Sequence, residues 1–128
     1  MSYEAEVAMA RIEKGIADAQ QRAARAREFR AQVDGTLGRG EVDGVVAEVD
    51  LTGVVRSIRL PRQLQYRDAE RLEASIMEAI RAGHVKAAEQ GRAAAEAAFG
   101  HGSQTAEAFS RELDSRFATQ RGDEEGRR

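Results

Sequence analysis

The chain has no cysteine and no tryptophan, a single proline, and aromatic residues at only 5% of its 128 positions. The absence of cysteine excludes disulfide bonds, thiolate zinc sites and a cysteine nucleophile, and it is consistent with a reducing compartment. No segment approaches the roughly 20 consecutive apolar residues that a membrane-spanning helix needs, and the acidic N-terminus lacks the apolar segment of a signal peptide. We therefore expect a soluble, cytoplasmic protein with no membrane contact.

The composition also limits the size of the core. A chain of 128 residues suits one domain, whose interior must come from Ala, Val, Leu and Ile because aromatic residues are scarce. A core of this kind is thin and favours association with a partner. The net charge is −2 with 33% charged residues, so any contact with nucleic acid must come from local basic patches.

The first thirty residues predict one long helix. Between Tyr3 and Arg30 only Gly15 interrupts a run of good helix formers, and such a helix would be on the order of 40 Å long. Its apolar and small residues alternate in steps of four and three, which is the spacing of a helix–helix seam: Ala5, Met9, Ile12, Ile16, Ala19, Ala23 and Ala26. The Ala-rich half buries little area, so we expect it to depend on a partner.

A three-stranded meander is predicted next. Residues 31–41 are rich in Gly and show no helical stripe, which predicts an irregular first strand. Asp43-Gly44 is a strong hairpin signal, so the second strand covers 45–51; the turn at 52–53 then leads to a third strand over 54–60. Turns this short make the strands antiparallel. In the third strand the alternation puts Val54, Arg56, Ile58 and Leu60 on one face and Val55, Ser57 and Arg59 on the other.

The remainder predicts two helices. Pro61 ends the third strand, a loop covers 62–67, and Asp68 is a plausible N-cap for a helix that runs to about Ala98 and stops at Gly100. One face of that helix carries Leu72, Ile76, Ala79, Ile80 and Gly83, and a glycine inside a helix indicates close packing. A short helix over 103–118 follows, with Ala106, Phe109, Leu113 and Phe117 at helical spacing.

The sequence therefore predicts an α+β fold made of a long helix, a three-stranded antiparallel meander, a long helix and a short C-terminal helix. We expect the α-β-β-β-α domain at 1–100, a helical extension at 101–119 and a disordered tail at 120–128. Two helices cannot cover one face of a small sheet along its whole length, so a second copy is the simplest source of cover. The residues expected in the core or the dimer interface are Val45, Val49, Val54, Ile58, Leu60, Leu72, Ile76 and Ile80.

Four segments carry a resemblance to a known family. They are VDGT at 33–36, DGVVAEVDLTG at 43–53, VVRSIRL at 54–60 and LEASIMEAI at 72–80, in a helix-meander-helix order that covers roughly residues 5–98. In these features the chain resembles the YbaB/EbfC family of bacterial nucleoid-associated proteins, especially the actinobacterial type. The resemblance implies a homodimer joined through the sheets, with helices projecting like tweezers onto duplex DNA and little sequence specificity.

Two arginine clusters are the candidates for DNA contact, because guanidinium groups suit bidentate contact with phosphates. One cluster ends the first helix and the other follows the third strand and its exit, with Arg39 in the Gly-rich segment as an addition. The candidates are Arg22, Arg25, Arg27, Arg30, Arg39, Arg56, Arg59 and Arg62, with Arg67 at the end of the loop. The alternative is a solvated helix face together with strand arginines that point into water.

The remaining polar residues favour structural roles. Glu41, Asp43, Glu48 and Asp50 form an acidic group beside the basic strand, and cross-strand pairing with Arg56 and Arg59 explains it better than a metal site does. His84 and His101 have no partner residues of a catalytic triad or a ligand set. Gly35, Gly38 and Gly40 do not form a dinucleotide fingerprint, and loop geometry explains them better.

Three functions can be ranked from these observations. The first is a dimeric, nucleoid-associated protein that binds duplex DNA with low sequence specificity, in chromosome organisation or transcription regulation. The second is a dimeric adaptor or chaperone-like module that binds another protein, which the acidic balance and the amphipathic C-terminal segment favour. An enzyme ranks last because no nucleophile, base or metal constellation is present, and we expect no catalytic residue, no metal and no cofactor.

Overall fold

The computed structural model describes residues 2–63 and 68–125. The elements follow the order α1 (Tyr3–Asp34), β1 (Leu37–Val42), β2 (Val45–Asp50), β3 (Val55–Arg59), α2 (Ala69–Phe99) and α3 (Gln104–Glu125). The three strands form one antiparallel sheet in the order β1-β2-β3, so the predicted α+β architecture is confirmed. In the described part of the chain, no helix combines the length and the apolar character needed to cross a membrane.

Local signals set the helix ends. The Ser2 hydroxyl accepts a hydrogen bond from the backbone N–H of Ala5 at the start of α1. Asp68 caps α2 as predicted, with its carboxylate accepting from the backbone N–H of Glu70 at 3.0 Å. Gly100 ends α2 with φ +96°, a conformation that favours glycine.

α1 is longer than the sequence predicted. It continues through Ala31–Asp34, which were expected to belong to an irregular first strand, and β1 begins only at Leu37. Residues 31–34 contain no glycine or proline, so the helix propagates until Gly35, whose backbone N–H donates back to the Ala31 carbonyl. The 32 residues of α1 span roughly 48 Å.

The two turns of the meander were predicted correctly. Asp43 and Gly44 both have positive φ, 51° and 82°, as the tight turn between β1 and β2 requires. In the second turn, the Asp50 carboxylate accepts hydrogen bonds from the backbone N–H groups of Thr52 and Val54 at 2.9 and 3.0 Å. Gly53 completes this turn with φ +90°.

The predicted faces of β3 are partly wrong because the strand contains an irregularity. Ile58 lies opposite Ala47, and Val55 lies opposite Val49, with a shift in register between Glu48 and Val49 on β2. Arg56 is the extra residue of this bulge. Val55 therefore shares the face of Ile58 toward α2, whereas simple alternation had put it with Ser57 and Arg59.

The core lies between α2 and the first two strands. Val45, Ala47 and Val49 of β2 are fully buried, together with Leu51 just beyond the strand, and α2 contributes Ala79, Ala87 and Ala88. Leu72, Ile76 and Ile80 are half-buried against these residues. In contrast, Val54, Ile58 and Leu60 are exposed.

Gly38 and Gly40 of β1 are part of this packing, so the prediction that loop geometry explains them is wrong. A side chain on Gly38 would overlap the backbone of Gly83 and Ala87, and one on Gly40 would overlap the backbone of Ala79 and Gly83. The close packing expected at Gly83 is therefore confirmed. The absence of side chains lets β1 and α2 approach closely.

α3 packs along α2 and closes the lower part of the core. Leu113 is fully buried and lies next to Gly91, where any Cβ would come within 2.8 Å of its methyl group. The Arg116 guanidinium donates to the Leu51 carbonyl oxygen. The helix was expected to end at Ala118 with a disordered tail from 120, but it continues to Glu125, because residues 119–125 contain helix formers and no proline. Residues 126–128 lie outside the described residues.

Candidate nucleic-acid interface

The most basic part of the described chain is the last third of α1. Its arginines at 22, 25, 27 and 30, here called the α1 basic cluster, are all exposed. Within the described side chains, none of them forms an ion pair or a hydrogen bond. At 3.6 residues per turn the four side chains spread over roughly 200° of the helix circumference. They present positive charge on several sides of the helix.

The direction of α2 divides this cluster. Phe29 points toward α2 and α3, where it contacts Phe99 and Phe109. The helical repeat puts Arg22 and Arg25 on either side of Phe29 and Arg27 nearly opposite it. Arg25 lines a crevice of about 270 Å³ against the end of α2, so this guanidinium lies beside the junction of the helices.

The predicted strand arginines do not share one environment. Arg39 of β1 and Arg59 of β3 lie on the sheet face away from α2, opposite Glu48 and Val46 of β2. Arg39 is 3.8 Å from the carboxylate of Glu41, whereas Arg59 has no ion pair among the described residues. This face therefore carries both signs of charge.

The exit from β3 is described only in part. Arg62 is exposed in the turn after the strand. Arg67, the last of the predicted arginines, and most of the predicted loop over 62–67 lie outside the described residues. The basic cluster predicted around β3 is therefore represented by Arg56, Arg59 and Arg62.

Arg56 connects the sheet with the end of α1. A cleft of about 420 Å³ separates the end of α1 from the β2–β3 turn, and Asp34, Leu37 and Arg56 are among its walls. Asp34 is one helical turn beyond Arg30, about 6 Å along the axis. Arg56 and the α1 basic cluster therefore lie at the same end of the molecule, while Arg59 is about 10 Å further along β3.

Asp50 holds Arg56 at this cleft. Its carboxylate lies 3.7 Å from the Arg56 guanidinium. Burial raises the pKa of Asp50, but the hydrogen bonds from Thr52 and Val54 together with the charge of Arg56 outweigh it, so the pKa lies below its ordinary value. The carboxylate is therefore ionised at neutral pH and neutralises part of the Arg56 charge.

The acidic group is distributed among separate partners. The predicted pairing with Arg56 is correct for Asp50, and the predicted pairing with Arg59 is wrong because Arg59 lies opposite Val46. Asp43 accepts from the Ser75 hydroxyl at 2.9 Å, and Glu48 accepts from the Ser57 hydroxyl. Among the residues that the structure describes, no group of three or more His, Asp or Glu side chains could hold a metal ion.

Both histidines have structural contacts. The Nε2 atom of His84 is 3.3 Å from the Gly53 carbonyl oxygen, and its ring centroid lies 5.1 Å from that of Phe117. His84 also borders a cavity of about 270 Å³ between α2 and α3. His101 is exposed, with Nδ1 3.3 Å from the Glu96 carboxylate.

Sequence reasoning missed the packing of Phe29. Its ring centroid is 5.0 Å from that of Phe99 and 5.0 Å from that of Phe109, with near-perpendicular planes. The available signal was a phenylalanine inside an Ala- and Arg-rich segment of a chain that has only four phenylalanines. A large apolar residue at such a position indicates contact with another element.

A comparison with protein families decides which kind of surface this is. The YbaB/EbfC DNA-binding family matches residues 7–102, from the first helix to the end of α2. The chain belongs to the YbaB/EbfC DNA-binding family. DNA binding and association with the nucleoid are properties of this family, and the matched range contains all eight candidate arginines. No curated protein and no solved structure matches the chain.

Proposed function

We propose that this member of the YbaB/EbfC family is a homodimer that binds duplex DNA with low sequence specificity and acts in chromosome organisation or transcription regulation. It would be a cytoplasmic, nucleoid-associated protein without catalytic activity. The observation that carries the proposal is the α1 basic cluster, whose four exposed guanidinium groups form no ion pair among the described residues. The actinobacterial type suggested by the sequence segments is part of the same proposal.

An unpaired arginine is suited to DNA because phosphate contact does not require it to give up a carboxylate. Each contact with a phosphate releases a condensed counterion, which supplies binding energy without reading the base sequence. The net charge of −2 does not oppose this, because the acids are largely engaged elsewhere: Asp50 with Arg56, Glu41 with Arg39, and Asp43 with Ser75. We expect Arg56, Arg59 and Arg62 to extend the contact along β3.

The edge strand β3 supports the dimer. Its side chains are all exposed, and four apolar residues at and beside the strand, here called the edge patch, have no cover in the single chain: Val54, Val55, Ile58 and Leu60. An exposed apolar edge strand also carries backbone groups that can pair with another strand. A second copy that pairs along β3 would satisfy both needs and would bring two α1 helices into one assembly.

A salt series tests the DNA proposal. Fluorescence anisotropy with random-sequence duplexes would compare the wild type with the triple variant Arg22→Ala, Arg25→Ala and Arg30→Ala. We expect wild-type affinity to fall steeply with salt, and the slope of log affinity against log salt to be smaller in the variant by about three, one for each phosphate contact.

The matched control removes the same charge elsewhere. Arg11→Ala, Lys14→Ala and Lys86→Ala together take three positive charges from outside the α1 basic cluster. We expect this variant to keep nearly the wild-type slope. The absence of wild-type binding at low salt, or equal losses in the two triple variants, would contradict the proposal.

A protein-binding adaptor or chaperone-like dimer is the second candidate. The observation that favours it is the apolar stripe of Met9, Ile12 and Ile16 on α1, which is more than half exposed at each residue. A protein partner could cover this stripe as an amphipathic helix would. The same anisotropy series separates the candidates, since an adaptor would show no salt-dependent affinity for duplex DNA.

A further inference from the structure

α1 is held to the rest of the chain at one end only. None of the 32 residues of α1 is buried, and its contacts with other helices are few. Val33, in its last turn, packs against the buried core. Phe29, one turn earlier, contacts Phe99 and Phe109. Two contacts one turn apart fix a direction as well as a position, so the ring of Phe29 determines where the rest of α1 points.

The two partners of Phe29 come from different helices. Phe99 is the last residue of α2, and Phe109 lies in the second turn of α3. The ring planes meet at 72° and 79°, which is the edge-to-face arrangement that aromatic pairs favour. Phe29, Phe99 and Phe109 are here called the aromatic cluster.

α3 is a firm support for this cluster. Ala106, Leu113 and Phe117 are buried on one side of α3, and Phe109 packs against the same core. Arg116 adds a hydrogen bond to the Leu51 carbonyl oxygen. α3 lies beyond residues 7–102, which match the family, so Phe109 is a contact that the family-matched segment does not itself contain.

We propose that Phe109 is a positioning residue, which holds Phe29 against the end of α2 and thereby sets the direction of α1 and of its basic cluster. Arg22 and Arg25 flank Phe29 on the same helix, so rotation of that ring relocates both guanidinium groups. Tyr3 lies roughly 39 Å from Phe29 along the helix axis, so a small rotation at the cluster displaces the N-terminus widely. The consequence for DNA rests on the proposed function, whereas the geometric claim does not.

A distance measurement between two spin labels tests the geometry directly. The chain has no cysteine, so Ala10→Cys on α1 and Gln90→Cys on α2, both at exposed positions, give a single labelled pair. Labelled protein diluted into an excess of unlabelled protein reports distances within one copy. We expect one narrow distance distribution in the otherwise wild-type chain and a broad or shifted one in Phe109→Leu.

Two further variants separate positioning from stability. Phe117→Leu also reduces a buried ring of α3, but Phe117 contacts His84 and the core, so we expect the narrow distribution to remain. Phe109→Tyr keeps the ring and should restore the wild-type distribution. A narrow, unshifted distribution in Phe109→Leu, or equal broadening in Phe117→Leu, would overturn the proposal.

DNA affinity provides the functional readout. If the wild type binds duplex DNA, Phe109→Leu should bind several-fold more weakly, and Phe109→Tyr should bind with the wild-type affinity. Unchanged affinity in Phe109→Leu would contradict a role in DNA contact. A wild type that does not bind DNA would overturn the proposed function, while the spin-label distances would still decide whether Phe109 orients α1.

Discussion

Gly40 of β1 lies so close to Ala79 of α2 that a Cβ on the glycine would overlap the Ala79 carbonyl oxygen. The obstacle is helix backbone, which cannot rotate aside as a flexible side chain could. The strand and the helix would have to separate to admit even one methyl group. The core between them depends on this approach, because many of its buried residues are alanine.

Substitution Gly40→Ala should therefore destabilise the fold by on the order of 3 kcal/mol, since overpacking against backbone cannot be relieved locally. Denaturant unfolding followed by circular dichroism, at one fixed protein concentration, measures this. Gly15→Ala is the control, because nothing lies within 4 Å of a Cβ there and the helix should gain up to about 1 kcal/mol. Equal effects of the two substitutions would contradict the packing argument.

Leu113→Ala should cost about 2–5 kcal/mol, because the side chain is fully buried against Leu51 and Gly91 and its removal leaves a cavity. The same unfolding measurement checks it, with the exposed neighbour Arg111→Ala expected within about 0.5 kcal/mol of the wild type. A neutral Leu113→Ala would show that α3 is not part of the cooperative unit.

Asp50→Asn should reduce stability at neutral pH by about 1–2 kcal/mol, because a charged acceptor of three hydrogen bonds becomes neutral. The folded-state pKa of Asp50 is lowered, so its contribution is complete above the unfolded-state pKa of about 3.9 and is lost as the pH falls toward the folded-state pKa. Urea unfolding across this range should show the wild type and the variant converging in acid. A difference that stays constant with pH would exclude this explanation.

Ile58→Lys should convert the proposed dimer into a monomer. The residue is 41% exposed in the single chain and lies at the centre of the edge patch, where a buried lysine would be costly. Sedimentation velocity at micromolar concentration measures the change. Val85→Lys replaces an exposed apolar residue of α2 and should leave the dimer intact. A wild-type chain that sediments as a stable, folded monomer would contradict the dimer itself.

The features that the sequence predicted well depend on neighbours along the chain. The Asp43-Gly44 turn, the Asp68 cap and the stop at Gly100 each involve residues within a few positions of one another. Their chemistry is local, so composition and spacing were sufficient. The order of helices and strands followed from the same signals.

The features that were predicted wrongly depend on contacts between distant segments. The shift that moves Val55 to the face of Ile58 arises where β3 pairs with β2. The role of Gly38 and Gly40 requires α2, which lies some forty residues further on. Alternation and glycine content within one segment contain no information about either contact.

The candidate site shows the same division. The sequence located the α1 basic cluster, and the structure places all four arginines at the surface. It did not predict that Arg56 pairs with Asp50 while Arg59 has no ion pair among the described residues, because those outcomes depend on the strand register. The aromatic cluster joins three helices and was equally inaccessible to pattern reasoning.

The strand order β1-β2-β3 leaves one sheet edge on each outer strand. Pairing β3 with β3 about a two-fold axis consumes the same edge on both molecules and stops at two copies, whereas pairing β3 with the β1 of a neighbour would expose a fresh edge at every addition and grow into a filament. Changes that weaken the symmetric contact therefore risk open-ended polymerisation, and the charged residues Arg39 and Glu41 on β1 are the part of the sheet that would discourage it.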